Sequence, residues 1–371
     1  MHWIKIGFVN FVVLLVLIAA IEVMWRIVWT AESCLESKCN SYYLTRIKIH
    51  DDNIGHSRLL FRFDDQLGFV PREGSDYIIN DHDWCRNARV TIADDGYRLN
   101  NVDMSFPIAD ILAVGDSFTF GAQVSNHQTW PACLERMLQR GVDNYGISGY
   151  GAAQSLKRAS LKIKQKNYSA IIFSILVGDD FSRDRLSYRY GFPKPSLIKE
   201  NNEIKWSSVS DPNKPGSVFN ASRFFQSFFF LYKRSLMFCY ISNSFPSFRS
   251  FLQGLIEVHP KAAEEKEIIE WTLRKFSEIN IPVKILLLQY YAKLNDSNML
   301  AERKLILKIA QRLPIKVIDT FNYFRGYSPK KIWFFRGGHH TPLGNEIVCN
   351  SLFEGAFKSK PAGYGARTEA R

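Results

Sequence analysis

The sequence predicts an α/β protein, a three-layer α/β/α sandwich around a central parallel sheet. Short continuous apolar runs, such as residues 108–114 and 169–177, are typical of strands that are buried on both faces. Longer segments with apolar residues at helical spacing separate these runs, as in the crossover connections between parallel strands. The chain of 371 residues can hold one large domain with additions.

Strand and helix patterns alternate through residues 108–357, which we predict to form the α/β domain. Because crossovers between parallel strands are almost always right-handed, helices should cover both faces of the sheet. The predicted strands are 108–114, 144–147, 169–177, 282–289 and 315–319, and the predicted helices are 129–140, 152–166, 262–279 and 298–313, followed by an apolar helix after Pro342.

A long insertion, residues 181–260, interrupts this domain. Residues 197–199 and 203–206 are predicted to form a hairpin within it. The tract 219–251 is rich in phenylalanine and tyrosine among basic residues. Two interpretations of the tract stay open: a lid or membrane-facing surface over the site, or a pair of helices packed into the core. The tail, residues 358–371, is predicted to be disordered.

The N-terminal residues 1–30 are predicted to be a transmembrane anchor. Residues 6–21 are almost entirely apolar, and a helix over about 3–29 is long enough to span a bilayer, with tryptophans near both ends. A cleaved signal peptide is the alternative. Lys5, before the span, favours a cytoplasmic start and a single-pass protein whose body is exported to the periplasmic or extracellular side. Residues 31–107 would then form a stalk and a small β-rich preface.

The cysteines fit an oxidising compartment. Cys34 and Cys39 lie close enough in the sequence for a small loop disulfide. Cys133, Cys239 and Cys349 lie in apolar segments, and we expect them to be buried thiols. No Cys-x-x-Cys pair or histidine cluster has the spacing of a zinc site, so we expect no metal and no cofactor.

The formal net charge of +12 is spread over scattered lysines and arginines. Such a surface favours anionic partners, whether phospholipid, acidic polysaccharide or nucleic acid. The sequence contains no nucleic-acid-binding motif. We therefore expect contact with lipid or glycan and none with nucleic acid, while the sequence predicts no oligomeric state.

A Gly-Asp-Ser sequence ends the first predicted strand of the α/β domain. Gly115 and Gly121 allow tight turns on either side of Ser117. The serine hydroxyl would lie at the carboxyl end of the sheet, near a helix start whose N–H groups can face an anion. A plain helix cap would give the same local sequence.

This stretch resembles the first block of the SGNH/GDSL family of serine esterases, and three later stretches resemble further blocks in the family's order. The resemblance implies an SGNH/flavodoxin-like sandwich in which Ser117 is the nucleophile. His339, in His-x-Thr-Pro-x-Gly, would be the general base, with His340 as its nearest competitor. The oxyanion site would be formed by the N–H groups of Ser117 and Gly149 and by the position of Asp179.

Two positions depart from the family's pattern. Asp179 stands where the family has an asparagine; an asparagine donates an N–H to the oxyanion, whereas an ionised aspartate cannot. The family also has an aspartate two or three residues before the histidine, where this chain has Arg336 and Gly337. A backbone carbonyl or a distant carboxylate such as Asp319 could orient the ring instead.

We therefore expect an anchored, exported serine esterase that removes a small acyl group, such as acetyl, from a cell-surface glycan or another small ester. An O-acetyltransferase differs only in the final acceptor, a sugar hydroxyl in place of water, and stays open. The alternative from another functional class is a catalytically silent domain that binds glycan in polysaccharide assembly.

Overall fold

The structure is a computed structural model, and it describes residues 47–48, 60–81, 85–101, 109–190, 192–209, 259, 261–290, 296–334 and 338–358. The predicted anchor, Cys34, Cys39, Cys239, the aromatic tract and all but the first residue of the predicted tail lie outside these residues. Within the part that is described, none of the helices has the length and apolar character needed to cross a membrane.

The strands are numbered here in chain order. They are β1 Ile47–Lys48, β2 Phe61–Asp64, β3 Gly68–Pro71, β4 Asp76–Asp81, β5 Cys85–Thr91, β6 Ala109–Val114, β7 Gly141–Asn144, β8 Ala170–Leu176, β9 Tyr188–Arg189, β10 Phe192–Pro193, β11 Leu197–Glu200, β12 Glu203–Trp206, β13 Val283–Leu288 and β14 Lys316–Asp319. The pair β11 and β12 forms the antiparallel hairpin that the sequence predicts.

The helices are numbered in the same way. They are α1 Ser117–Phe120, α2 Trp130–Leu138, α3 Ala152–Lys162, α4 Asp180–Arg183, α5 Glu265–Ser277, α6 Ser297–Ala310, α7 Pro329–Ile332 and α8 Pro342–Ala356, with short 3₁₀ helices at Asn126–Gln128 and Thr320–Asn322. Thr129 caps α2 by accepting a hydrogen bond from the backbone N–H of Ala132, and Asp296 caps α6 in the same manner.

A five-stranded parallel sheet forms the centre of the fold, in the order β14-β13-β8-β6-β7. The first strand in sequence, β6, therefore lies inside the sheet, between β7 on one side and β8 on the other. In this flavodoxin-like order the chain changes direction at β6, and ligands of open α/β sheets bind where the direction changes. The prediction of a parallel α/β fold is confirmed.

Helices cover both faces of this sheet. On one face α3, α5 and α6 contribute Ala153, Leu273 and Ile306 to a buried apolar cluster. On the other face α2 and α8 contribute Leu134 and Val348 to a second cluster. Since both faces are covered, the strands carry continuous apolar runs, which is the pattern that predicted them.

The second strand of the sheet begins earlier than predicted. The sequence predicts a helix to residue 140 and a strand over 144–147, whereas α2 ends at Leu138 and β7 is Gly141–Asn144. Gln139 has a left-handed backbone conformation, with φ of 51°, which stops the helix. Beyond β7 the chain passes close to α1, since a Cβ on Gly146 would collide with the backbone nitrogen of Phe120.

Cys133 and Cys349 form a disulfide, with their Cα atoms 6.0 Å apart. The prediction that both are buried thiols is therefore wrong, although both side chains are buried. The bond joins α2 to α8, which pack together on one face of the sheet. Nothing in the local sequence links two cysteines that are 216 residues apart, because only the tertiary packing of the two helices brings them together.

Candidate active site

Ser117 lies at the carboxyl end of β6, in the first turn of α1. Asp116 caps this short helix, with its Oδ1 accepting a hydrogen bond of 2.9 Å from the backbone N–H of Phe118. A Cβ at position 115 would collide with the hydroxyl oxygens of Ser174 and Thr119, so the turn before the serine requires glycine. The serine is held in a tight, buried turn and is only 4% exposed.

His339 lies on the loop between α7 and α8, against the serine. Its Nε2 is 2.8 Å from the Oγ of Ser117, although the two residues are 222 positions apart in the sequence. The loop is fixed on both sides of the histidine. The backbone N–H of Phe334 donates to the carbonyl oxygen of His339, and the backbone N–H of Thr341 donates to that of Ile332. The structure therefore brings together the two residues that the sequence singled out as nucleophile and base.

The other ring nitrogen of His339 contacts Gln123. The Oε1 of Gln123 lies 2.8 Å from Nδ1 of the ring and 3.2 Å from the backbone nitrogen of His339. A backbone N–H can only donate, so the glutamine atom that it meets must be the amide oxygen. Nδ1 then carries the ring proton, and Nε2 holds the lone pair that accepts the hydroxyl proton of Ser117.

The site keeps His339 neutral. Burial, and to a lesser extent the nearby positive charge of Arg183, lowers the pKa of His339 to about 3. The imidazole is therefore unprotonated at neutral pH, which is the form that can take a proton from a serine. Asp319, the distant carboxylate suggested above, instead accepts hydrogen bonds from Arg303 and from the backbone N–H of Phe321. The ring is oriented by an amide side chain, an alternative that the sequence analysis did not contain.

The ring of His340, the competing histidine, packs within a group of aromatic rings. Its ring centroid lies 4.8 Å from that of Phe118, 5.3 Å from that of Phe324 and 6.0 Å from that of Trp333. Neither ring nitrogen has a hydrogen-bond partner among the described residues. Burial, and the nearby His339, lowers the pKa of His340 to about 3.

A buried ionic cluster lies beneath the serine turn. Nη1 of Arg183 donates to Asp116 Oδ2 at 2.8 Å and to Asp180 Oδ1 at 2.7 Å. The other oxygen of Asp180 accepts from the backbone N–H of Leu176, at the end of β8. Burial raises the pKa of both aspartates, and the arginine opposes that shift. The cluster ties the serine turn to the neighbouring strand end.

The two residues predicted for the oxyanion site lie in the segments after β7 and β8, Gly149 five residues beyond β7 and Asp179 three residues beyond β8. Gly149 has φ of 81°, and a Cβ there would collide with the ring of Tyr190 from the insertion. Asp179 is half-buried at the start of α4. Its negative charge adds to the effect of burial in raising the pKa of Asp116 and Asp180. Position 179 thus brings a negative charge near the serine turn.

Gln123 and Arg183 were not singled out from the sequence, and Asp180, which belongs to the third family-like block Gly178-Asp179-Asp180, was given no role. Asp180 and Arg183 follow the third predicted strand directly, and two charged residues at the end of a buried parallel strand are a usable signal. Gln123 gives no such signal. It lies in the loop after α1 and meets His339 across 216 positions of sequence.

No protein-family model matches the chain, and no curated protein matches it. Solved structures do show a likeness to it. One is a member of the lipolytic protein G-D-S-L family from Veillonella parvula DSM 2008, with 14% identity and a TM-score of 0.39 over 67% of this chain and 97% of that one. Another is an α/β hydrolase from the metagenome of Lake Arreo, with 14% identity and a TM-score of 0.38 over 67% and 94% of the two chains.

A third is a catalytic mutant of an acetylxylan esterase from Geobacillus stearothermophilus, with 13% identity and a TM-score of 0.37 over 68% of this chain and 98% of that one. Likenesses of this degree decide nothing about the activity of the chain. The function therefore has to be argued from the geometry of the site.

Proposed function

We propose that the protein is a serine ester hydrolase of the SGNH/GDSL type, with Ser117 as nucleophile and His339 as general base. One observation supports the proposal above all: Nε2 of a neutral, buried histidine lies 2.8 Å from the serine Oγ, in the tautomer that accepts its proton. A serine beside an oriented base is the arrangement that acyl transfer requires. Its position at the strand end where the sheet changes direction is typical of α/β sites.

In the proposed reaction Ser117 Oγ attacks the ester carbonyl, and His339 Nε2 takes the hydroxyl proton. The backbone N–H groups of Ser117 and Gly149 would stabilise the oxyanion. The tetrahedral intermediate collapses as His339 returns the proton to the leaving alcohol, which gives an acyl-enzyme. Water, activated by the same histidine, then releases the acid and restores the serine.

The proposed substrate is an acetylated cell-surface glycan, and an O-acetyltransferase would use a sugar hydroxyl in place of water at the second step. We further propose that residues 1–30 anchor the domain on the exported side of a membrane. The Cys133–Cys349 disulfide supports export, because disulfides persist in oxidising compartments. The net charge of +12 is compatible with an acidic glycan or membrane surface.

A catalytically silent glycan-binding domain is the second candidate, and two observations favour it. The group that orients His339 is a neutral amide rather than a carboxylate. Asp179 brings a negative charge close to Asp116, in the turn that holds the serine, and a negative charge there would oppose an oxyanion.

Intact-mass analysis with a fluorophosphonate probe separates the two candidates. The full-length chain in detergent should gain one probe mass, and Ser117→Ala and His339→Ala should abolish labelling. Ser351→Ala is the matched control, because Ser351 is also buried and its hydroxyl donates to the carbonyl oxygen of Val348 within α8. Absence of labelling in the parent protein at every pH would exclude the hydrolase and leave the binding domain.

A further inference from the structure

We propose that Gln123 is the positioning residue of His339, so that the site is a Ser117–His339–Gln123 triad whose third member carries no charge. This inference rests on the proposed function for its catalytic meaning, while its structural content can be tested separately. Gln123 would take the place that a carboxylate has in a Ser–His–acid triad. It reaches the histidine from the loop after the nucleophile helix, not from the sequence before the histidine.

The contact fixes the ring in two ways at once. The single Oε1 accepts from Nδ1 of the ring and from the backbone N–H of the same residue. The first bond sets the tautomer, and the second sets the distance between the glutamine and the histidine backbone. Gln123 is only 2% exposed, so water does not compete for these bonds.

Arg98 holds the loop that presents Gln123. Its guanidinium donates to the carbonyl oxygens of Phe120, Gly121 and Val124, at 2.5, 2.6 and 2.6 Å. These carbonyls lie on both sides of Gln123, and Phe120 is the last residue of the helix that carries Ser117. Arg98 is only 1% exposed, so this frame is fully buried. One arginine thus fixes the nucleophile helix and the glutamine loop relative to each other.

The neutral amide of Gln123 has only one of the two roles that a carboxylate has in a catalytic triad: it orients the histidine ring. The amide oxygen keeps Nδ1 protonated and the lone pair of Nε2 directed at Ser117. It cannot supply the negative charge that stabilises an imidazolium. The low pKa of His339 agrees with this, because burial destabilises the charged ring and the positive charge of Arg183 adds to that effect.

The test replaces the amide by a carboxylate of the same shape. Gln123→Glu keeps both acceptor contacts and adds a charge 2.8 Å from Nδ1, so the pKa of His339 should rise. We expect the fluorophosphonate labelling rate at neutral pH to rise at least about tenfold, given that neutralising a triad acid lowers turnover by about 10⁴. Gln123→Ala and Gln123→Asn, which remove or withdraw the acceptor, should lower the rate by about tenfold or more.

The decisive readout is the tautomer and the pKa of the His339 ring, because neither would change if Gln123 had a purely structural role. Nitrogen NMR of selectively labelled histidine, with the His339 signals assigned by their loss in His339→Ala, reports its tautomer and its pKa. The parent should show one tautomer and a labelling rate that is flat from about pH 5 to 8. Gln123→Ala should show mixed tautomers, and in Gln123→Glu the rate should fall as pH drops through the raised pKa of the ring.

The other described charged groups near the ring are the same in every variant of this series. Arg183 acts on His339, Asp116 and Asp180 are paired with Arg183, and Arg98 holds the loop on both sides of position 123. His340 on the same loop is neutral. Differences among the variants therefore belong to position 123. Gln128→Glu is the matched control for replacing an accepting amide by a carboxylate, since Oε1 of the half-buried Gln128 accepts a hydrogen bond of 3.0 Å from the backbone N–H of Ser125. It should leave the labelling rate within about twofold of the parent.

Two results would overturn the inference: an unchanged tautomer in both Gln123→Ala and Gln123→Asn, or an unchanged pKa of His339 in a folded Gln123→Glu. If Gln123→Glu does not fold, the alanine and asparagine variants still decide the matter by the tautomer. If no protein is labelled but the tautomer changes as expected, the proposed hydrolase fails while the positioning role of Gln123 stands.

Discussion

His339 and His340 are neighbours in the chain, but their ring nitrogens have different surroundings. Both nitrogens of His339 are hydrogen-bonded, to Ser117 and to Gln123. Neither nitrogen of His340 has a partner in the described part of the chain, and aromatic rings surround it. The sequence could rank the two only by motif spacing. The two rings differ because different side chains pack against them. This packing is tertiary, so the local sequence around the two histidines does not predict it.

The surroundings of His340 predict that an apolar ring would suit the position better. His340→Phe removes two unpaired buried nitrogens, so we expect the free energy of unfolding at pH 7 to rise by about 1–3 kcal/mol. The pKa of His340 is lowered to about 3 in the folded protein. Between that pH and its unfolded pKa of about 6.5, the unfolded state binds a proton that the folded state does not, so the parent loses stability as pH falls.

The advantage of the variant should therefore grow at acid pH, by at most about 2 kcal/mol between pH 6.5 and 5. Urea unfolding at pH 7 and pH 5 measures both quantities. His127→Gln is the control for replacing an exposed histidine, so that the difference between the two variants isolates the effect of burial at position 340. If the gain is equal at pH 7 and pH 5, the ring of His340 binds a proton in the folded protein as it does in the unfolded protein, and the lowered pKa of His340 is contradicted.

At the scale of elements, the sequence predicted most of the core strands and helices because the sheet is buried on both faces. Continuous apolar runs marked β6, β8 and β13 to within two residues. The short strand β7 was misplaced because one left-handed residue, Gln139, decides where its preceding helix stops. Thr341, next to the loop that carries His339, caps α8 by accepting a hydrogen bond of 3.2 Å from the backbone N–H of Gly344.

Thr341 connects the stability of α8 to the position of His339. Its hydroxyl also donates to the carbonyl oxygen of Lys331, so it joins α7 to the start of α8. Thr341→Ala should lower the free energy of unfolding by about 1 kcal/mol and reduce labelling of Ser117, because the histidine loop loses an anchor. Thr341→Ser keeps the hydroxyl and should restore both. Equal behaviour of the two variants would mean that the cap does not position the loop.

At the scale of the whole molecule, the parts that the sequence did not predict are contacts between distant segments. Gln123 with His339 and Cys133 with Cys349 are each 216 positions apart. Such pairs are fixed by how layers of the sandwich pack, and no local pattern records them. The first three blocks were informative because they follow strands of the parallel sheet, whose carboxyl ends lie at one edge, whereas the histidine block follows the short helix α7.

The Cys133–Cys349 disulfide should account for a large share of the stability of this sandwich. It joins α2 to α8 across the second apolar cluster, and α8 begins directly after the histidine loop. In the chain-entropy account, a loop of this length stabilises the folded state by roughly 5 kcal/mol, and measured losses are typically 2–5 kcal/mol. We therefore expect the double variant Cys133→Ala/Cys349→Ala to have a free energy of unfolding that is lower by that margin, measured by urea unfolding.

Reduction provides the matched comparison. A thiol reductant should lower the unfolding midpoint of the parent to that of the double variant measured in the same reductant. The other four cysteines are present in both proteins, so their reduction contributes equally to each. A double variant as stable as the oxidised parent would show that the bond adds nothing to the packing of α2 on α8, and the support it lends to an oxidising compartment would then be lost.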